Sequence, residues 1–198
     1  MIFTSCSSCG KSSEGPILGD GASNLVFENV ISTDREAMFL NYDEDYRWYE
    51  STIVAENFFD SDSTSSVIKG ITNVFQVAEK KDSTCFDIHV IMMKHDAVNT
   101  YEPEAIEGFW IEDFPLNEEK ITLTYEEAYA RMMMANCVKP HSRYCVLRKQ
   151  VGPVDCNPQY IFGNVKVQVY VDAVTGQVSN NNPAFGKIVL KKPLGEWP

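Results

Sequence analysis

Apolar and polar residues alternate from Lys166 to Asp172, break at a turn, and alternate again to Ser179. Val167, Val169 and Val171 fall on one side of such a strand; Lys166, Gln168, Tyr170 and Asp172 fall on the other. A second pattern lies upstream in "TLTYEEAYARMMMANCVKP". There Tyr125, Ala128, Tyr129, Met132 and Met133 recur at helical spacing and form one apolar stripe. Thr124 with Glu127 makes a capping box, Leu123 and Ala128 take the staple positions, and Pro140 marks the stop. A methionine stripe at this spacing is read as core rather than as an adaptable groove.

The segments "RYCVLRKQV" and "QYIFGN" are of strand length and rich in β-branched or aromatic residues, with the turn residues of "VGPVDCNP" between them. Asp172 can bond the hairpin turn through its carboxylate, and Gly176 can take positive φ there. In the N-terminal half, Thr33 with Glu36 predicts a capping box before a short helix. "YRWYESTIVAENFF" then reads as a strand and residues 60–66 as a loop. "VIKGITNVFQVAE" and "CFDIHVIMMKHD" make a hairpin around "KKDST". Near the C-terminus, Lys187 to Leu190 reads as an edge strand guarded by Lys191, Lys192 and Pro193.

A helix followed by three strands is thus expected twice. The fold class is α+β: an antiparallel sheet packed against one main helix, built either as two similar halves or as one continuous sheet. The expected organisation is a leader over 1–22, a β-rich half over 23–115 and a second half over 116–198.

The second half resembles the PepSY family, with its cystatin-like helix-on-sheet module. The likeness rests on "TYEEAYARM" (Thr124 to Met132), "YIFG" (Tyr160 to Gly163) and "VDAVTGQV" (Val171 to Val178), and covers roughly residues 120 to 180. It implies an extracytoplasmic, non-catalytic domain of the kind found beside peptidases, where it has an inhibitory or regulatory role. It carries over no catalytic residue.

Composition narrows the partners. The 198 residues carry 17 basic and 28 acidic side chains, a formal charge of −11. That balance argues against nucleic acid, whose phosphates need a basic footprint, and against docking on anionic lipid. No run approaches the ~18–20 apolar residues that span a bilayer. After Phe3 the leader is small, polar and rich in Gly and Pro, too poor in apolar surface to order itself. "IFTSC" followed by this tether resembles the end of a Bacteroidetes-type lipoprotein signal, which implies a lipidated Cys6, export, and a place in the periplasm or on the cell surface. Only five residues precede Cys6, fewer than the apolar stretch of ~7–15 that a signal peptide uses. The competing reading pairs Cys6 with Cys9 as a C-x-x-C site. Neither the redox context nor a second ligand pair accompanies it. Cys137, Cys145 and Cys156 suit one disulfide in an oxidising compartment or three free thiols.

Little else suggests chemistry. Cys85, Asp87 and His89 lie too far apart along a strand to form a dyad. His95 and His141 are expected in solvated turns, and three scattered histidines make no metal site. Glu102, Glu104, Glu107, Glu112 and Asp113 read as an acidic connector rather than a glycosidase pair. The aromatic concentration at Tyr42, Tyr46, Trp48, Tyr49, Phe58 and Phe59 beside acidic residues suits either a sugar or peptide groove or plain core packing. Tyr46, Trp48 and Tyr49 are the candidate ligand-binding residues. The expected protein is a non-catalytic exported binding or regulatory protein without cofactor or metal, its partner a protein or peptide, a peptidase among the candidates. The alternative is a small enzyme or a sugar- or peptide-binding protein using the N-terminal half.

Overall fold

The computed structural model describes residues 25–61, 65–80 and 86–185. In chain order the elements are α1 (Phe27–Tyr42), β1 (Tyr46–Ala55), β2 (Ile68–Lys80), β3 (Phe86–Asp96), β4 (Glu104–Glu107) and β5 (Asp113–Phe114). After a single 3-10 turn at Glu118–Lys120 come α2 (Tyr125–Met134), β6 (Tyr144–Gln150), β7 (Gln159–Gly163), β8 (Gln168–Asp172) and β9 (Val178–Ser179). The fold is α+β: an antiparallel nine-stranded sheet that does not close into a barrel, with two helices packed against it. Strand order is β4-β3-β2-β1-β6-β7-β8-β9, and the short β5 pairs with the end of β6.

The two expected helix-and-strand units meet at their first strands. β1 pairs antiparallel with β6, from Glu50↔Arg148 to Val54↔Tyr144, and each unit then runs outward strand by strand. One buried row crosses the join as Ile71, Ile53, Cys145, Phe162 and Val169; the next runs Asn73, Ser51, Leu147, Tyr160 and Val171. Paired residues share a face, so both units present apolar side chains to the same side. Phe27, Ile31 and Met38 of α1 and Tyr125, Ala128, Tyr129 and Met132 of α2 close over that side as one core.

α2 follows the sequence closely. The Thr124–Glu127 capping box is present on both legs. Val169 and Val171 lie in the same core as Met132, both fully buried, while Met133 is half-buried. The helix ends at Met134, six residues before Pro140, and the Lys139 ammonium donates to the carbonyls of Met132 and Ala135 at that end. At the β8–β9 turn, Asp172 accepts from the amides of Val174 and Thr175 at 2.9 and 2.8 Å, and Gly176 has φ 73°.

Two expectations change. The first helix spans 16 residues and starts at Phe27, so Thr33 is mid-helix and donates to the Asn29 carbonyl instead of capping. Phe27, Ile31, Asp34 and Met38 set its buried face, and packing of that face outweighs the local capping signature. Both expected helices pack against the sheet. Tyr170, placed with the polar side of its strand, is buried on the opposite sheet face, where its hydroxyl donates to Gln168. The leader with Cys6 and Cys9, Cys85, and the Lys187–Leu190 strand lie outside the described residues.

Candidate binding groove

The predicted aromatic concentration is dispersed by the fold. Phe59 enters the core against Tyr129 and Phe162, and Phe58 stacks on the exposed His141 ring at 4.3 Å. A β-bulge between Trp48 and Glu50 alters the phase of β1. Tyr46 and Trp48 point to the helix side, while the Tyr49 hydroxyl meets Gln76 on the open face of the sheet. Two of the three candidate residues thus come together, and the third does not.

Tyr46 and Trp48 line a cavity of about 520 Å³ between the C-terminal half of α1, the start of β1 and the segment after β5. Phe39, half exposed, and Leu116 complete its apolar wall. A smaller cavity of about 150 Å³ shares Trp48 and Glu118 with it and continues between the two helices toward Ile31, Leu123 and Tyr160. The two lie in line along α1 on either side of Trp48 and Glu118, and the larger is the groove considered below. Its rim is polar: Arg35 pairs with Glu118, and Arg47 donates to the carbonyls of Glu44 and Tyr46 at 2.8 and 2.7 Å. The Arg47 guanidinium is therefore held at the rim by fixed backbone acceptors, with Glu44 and Asp45 beside it.

Behind Trp48 runs a chain of buried hydrogen bonds. The indole N–H donates to Ser51 at 3.1 Å, Ser51 donates to Asn73, and Asn73 donates to Asp34 at 2.7 Å. His95 Nε2 lies 2.9 Å from Asp34, and its Nδ1 faces Thr100 at 3.3 Å. His95 is thus buried, not solvated as the sequence suggested, because a carboxylate on α1 reaches it across β2. The network clamps α1 to three strands and fixes the indole that walls the groove. Its signal was in the pattern: Asp34 is in phase with Ile31 and Met38, and His95 with Ile91 and Met93.

No protein family, no curated protein and no solved structure matches this chain. The groove is accordingly read from its own chemistry.

The remaining candidates stay apart from it. His141 is exposed in its turn and lies 3.0 Å from Asp60. Cys137, Cys145 and Cys156 are free thiols, and burial pushes the Cys145 thiol well up. Among the described residues no three His, Cys, Asp or Glu side chains are grouped to hold a metal ion. In the acidic connector, Glu104 and Glu107 form the exposed edge strand β4. Asp113 departs from that reading: its side chain is fully buried beside Arg148.

Proposed function

We propose that this chain is a non-catalytic binding protein of the bacterial cell envelope that takes an extended peptide segment of a partner protein into the groove along α1. The observation that carries the reading is the cavity walled by Phe39, Tyr46, Trp48 and Leu116 under a rim of fixed charges, with a smaller cavity on the other side of Trp48. Apolar pockets admit side chains, while rim guanidinium and carboxylate groups orient the backbone and charged ends of a peptide. A sugar instead needs a broad aromatic face to lie on. Trp48 is only 5% exposed, with its N–H committed to Ser51, and offers no such face.

The envelope location and the tether through Cys6 rest on the lipoprotein-like leader. A peptidase as partner rests on the PepSY-like second half, which contributes Leu123 and Tyr160 to the cavity beside Trp48. Among the described residues no helix is long and apolar enough to cross a membrane.

Display of the full chain against an array of random nine-residue peptides tests the proposal. Wild type is expected to select a set with a shared apolar position, and a Phe39→Ala/Arg47→Ala double variant to lose it. Both side chains are on the exposed rim, so the variant should fold. No selection, or selection unaffected by the double substitution, would contradict the groove reading. Selective binding to a glycan array in its place would support the sugar alternative.

A further inference from the structure

The segment from Gly108 to Leu116 is a strap. It leaves the edge strand β4, where the Gly108 amide bonds the Ile88 carbonyl, and crosses the face of the sheet opposite the helices. The Trp110 amide donates to the Gln76 side chain at 2.8 Å, β5 pairs with the end of β6, and the Leu116 amide donates to the Trp48 carbonyl at 2.7 Å. Between its ends the strap has little apolar burial: Phe109, Ile111 and Phe114 are 66%, 82% and 43% exposed and Trp110 is half-buried, while Leu116 at its end enters the core.

What faces inward is polar. Asp113, fully buried, meets Arg148 of β6 at 3.7 Å, and the same guanidinium lies 3.7 Å from Glu50 of β1, whose side chain is 12% exposed. Those distances are too long for hydrogen bonds, so the cation lies near both carboxyls without being committed to either, while the Glu50 and Asp113 side chains interact directly with each other. Among the described residues Asp113 Oδ1 and Arg148 Nε have no hydrogen-bond partner. Thr52 donates to Glu50 at 3.1 Å, and the Trp110 indole N–H lies 3.4 Å from Asp113. Beyond these, β2 offers the apolar Val74 opposite Glu50, β7 offers Gln159 opposite Arg148, and β8 brings Tyr170 near the guanidinium. Glu112 on the strap adds negative charge.

Two carboxyls therefore share one guanidinium in a place largely closed to water. With one proton on the pair the set is neutral; with none it holds an uncompensated buried charge. We propose that Glu50, Asp113 and Arg148 form a pH-operated clasp that holds the 108–116 strap on the sheet and releases it when both carboxyls ionise. Burial and the Asp113 charge push Glu50 up to about 7, against the pull of Arg148, which places the release near neutral pH. Burial also raises Asp113, again opposed by Arg148. Leu116, three residues past Asp113, lines the groove, so release also loosens one groove wall. That consequence rests on the groove reading; the clasp does not.

Amide hydrogen exchange of the full chain without ligand, from about pH 6 to about pH 8.5 and normalised for intrinsic exchange, tests it. Wild type should lose about tenfold or more protection over residues 108–116 across that range, since one pKa unit is a factor of ten. Residues 71–77 of β2 should stay constant. Glu50→Gln, which keeps one ionised carboxylate beside Arg148, should hold the strap closed throughout. Asp113→Asn removes the other charge and should do the same, so the test survives if one variant fails to fold. A flat wild-type profile, an equal fall in a folded variant, or parallel loss across β2 would overturn the clasp.

Discussion

Asp34 shows how much can hang on one side chain. It accepts from Asn73 and faces His95 while being 1% exposed, so truncation strands two buried polar partners. Asp34→Ala is expected to destabilise the protein by about 3 kcal/mol or more in denaturant melts, the usual cost of breaking a buried pair on one side. A loss within the roughly 0.5 kcal/mol typical of surface changes would contradict the network. Glu50 gives the pH-dependent counterpart. Its carboxyl is raised from an ordinary 4.5 to about 7, so the folded state holds a proton that the unfolded chain releases. Its contribution is complete below about 4.5 and is lost as pH rises to about 7. The stability of wild type relative to Glu50→Gln should fall across that window and level off above it, read by urea midpoints at each pH. Asp34 was passed over and His95 misread as solvated, although each lies in phase with an otherwise apolar stripe. Asp113 was not legible, because an irregular connector has no period and its burial depends on where the strap crosses.

At the level of elements, α2 was legible at its start and along its face because capping and periodicity are local. Thr124→Ala should cost about 1 kcal/mol through the lost cap. Met132→Ala should cost about 2–5 kcal/mol, since the side chain is fully buried against the valine strand. The same change at the half-buried Met133 should cost clearly less. Equal costs at the two methionines would contradict the packing described. The start of α1 was misread for a physical reason. Thr33 and Glu36 match the capping spacing, but Ile31 and Phe27 lie one and two turns upstream of Asp34 on the face that Asp34 and Met38 continue. Burial of that face decides where the helix begins. The bulge in β1 was likewise silent in the sequence; Tyr49 leaves Tyr46 and Trp48 by plain alternation, and what the bulge does is put Glu50 on the open face and Ser51 on the core face.

For the whole molecule, element order and class could be read from the chain, but the β1–β6 pairing could not. Strands separated by about ninety residues choose each other through the global fit of two apolar faces, which no local pattern encodes. That pairing joins the halves under one core, so far-ultraviolet circular dichroism and tryptophan fluorescence should report coincident urea transitions. Two separated transitions would mean that the core is divided. It also builds the smaller cavity beside the groove, because Trp48 and Ile31 from the first unit face Leu123 and Tyr160 from the second. The most direct test of the binding account is a titration of isotope-labelled full chain with an array-selected peptide, followed by amide chemical shifts. Shifts concentrated at Phe39, Tyr46, Trp48 and Leu116 are the predicted result. Shifts confined to the open face of the sheet, or none at saturating peptide, would contradict it.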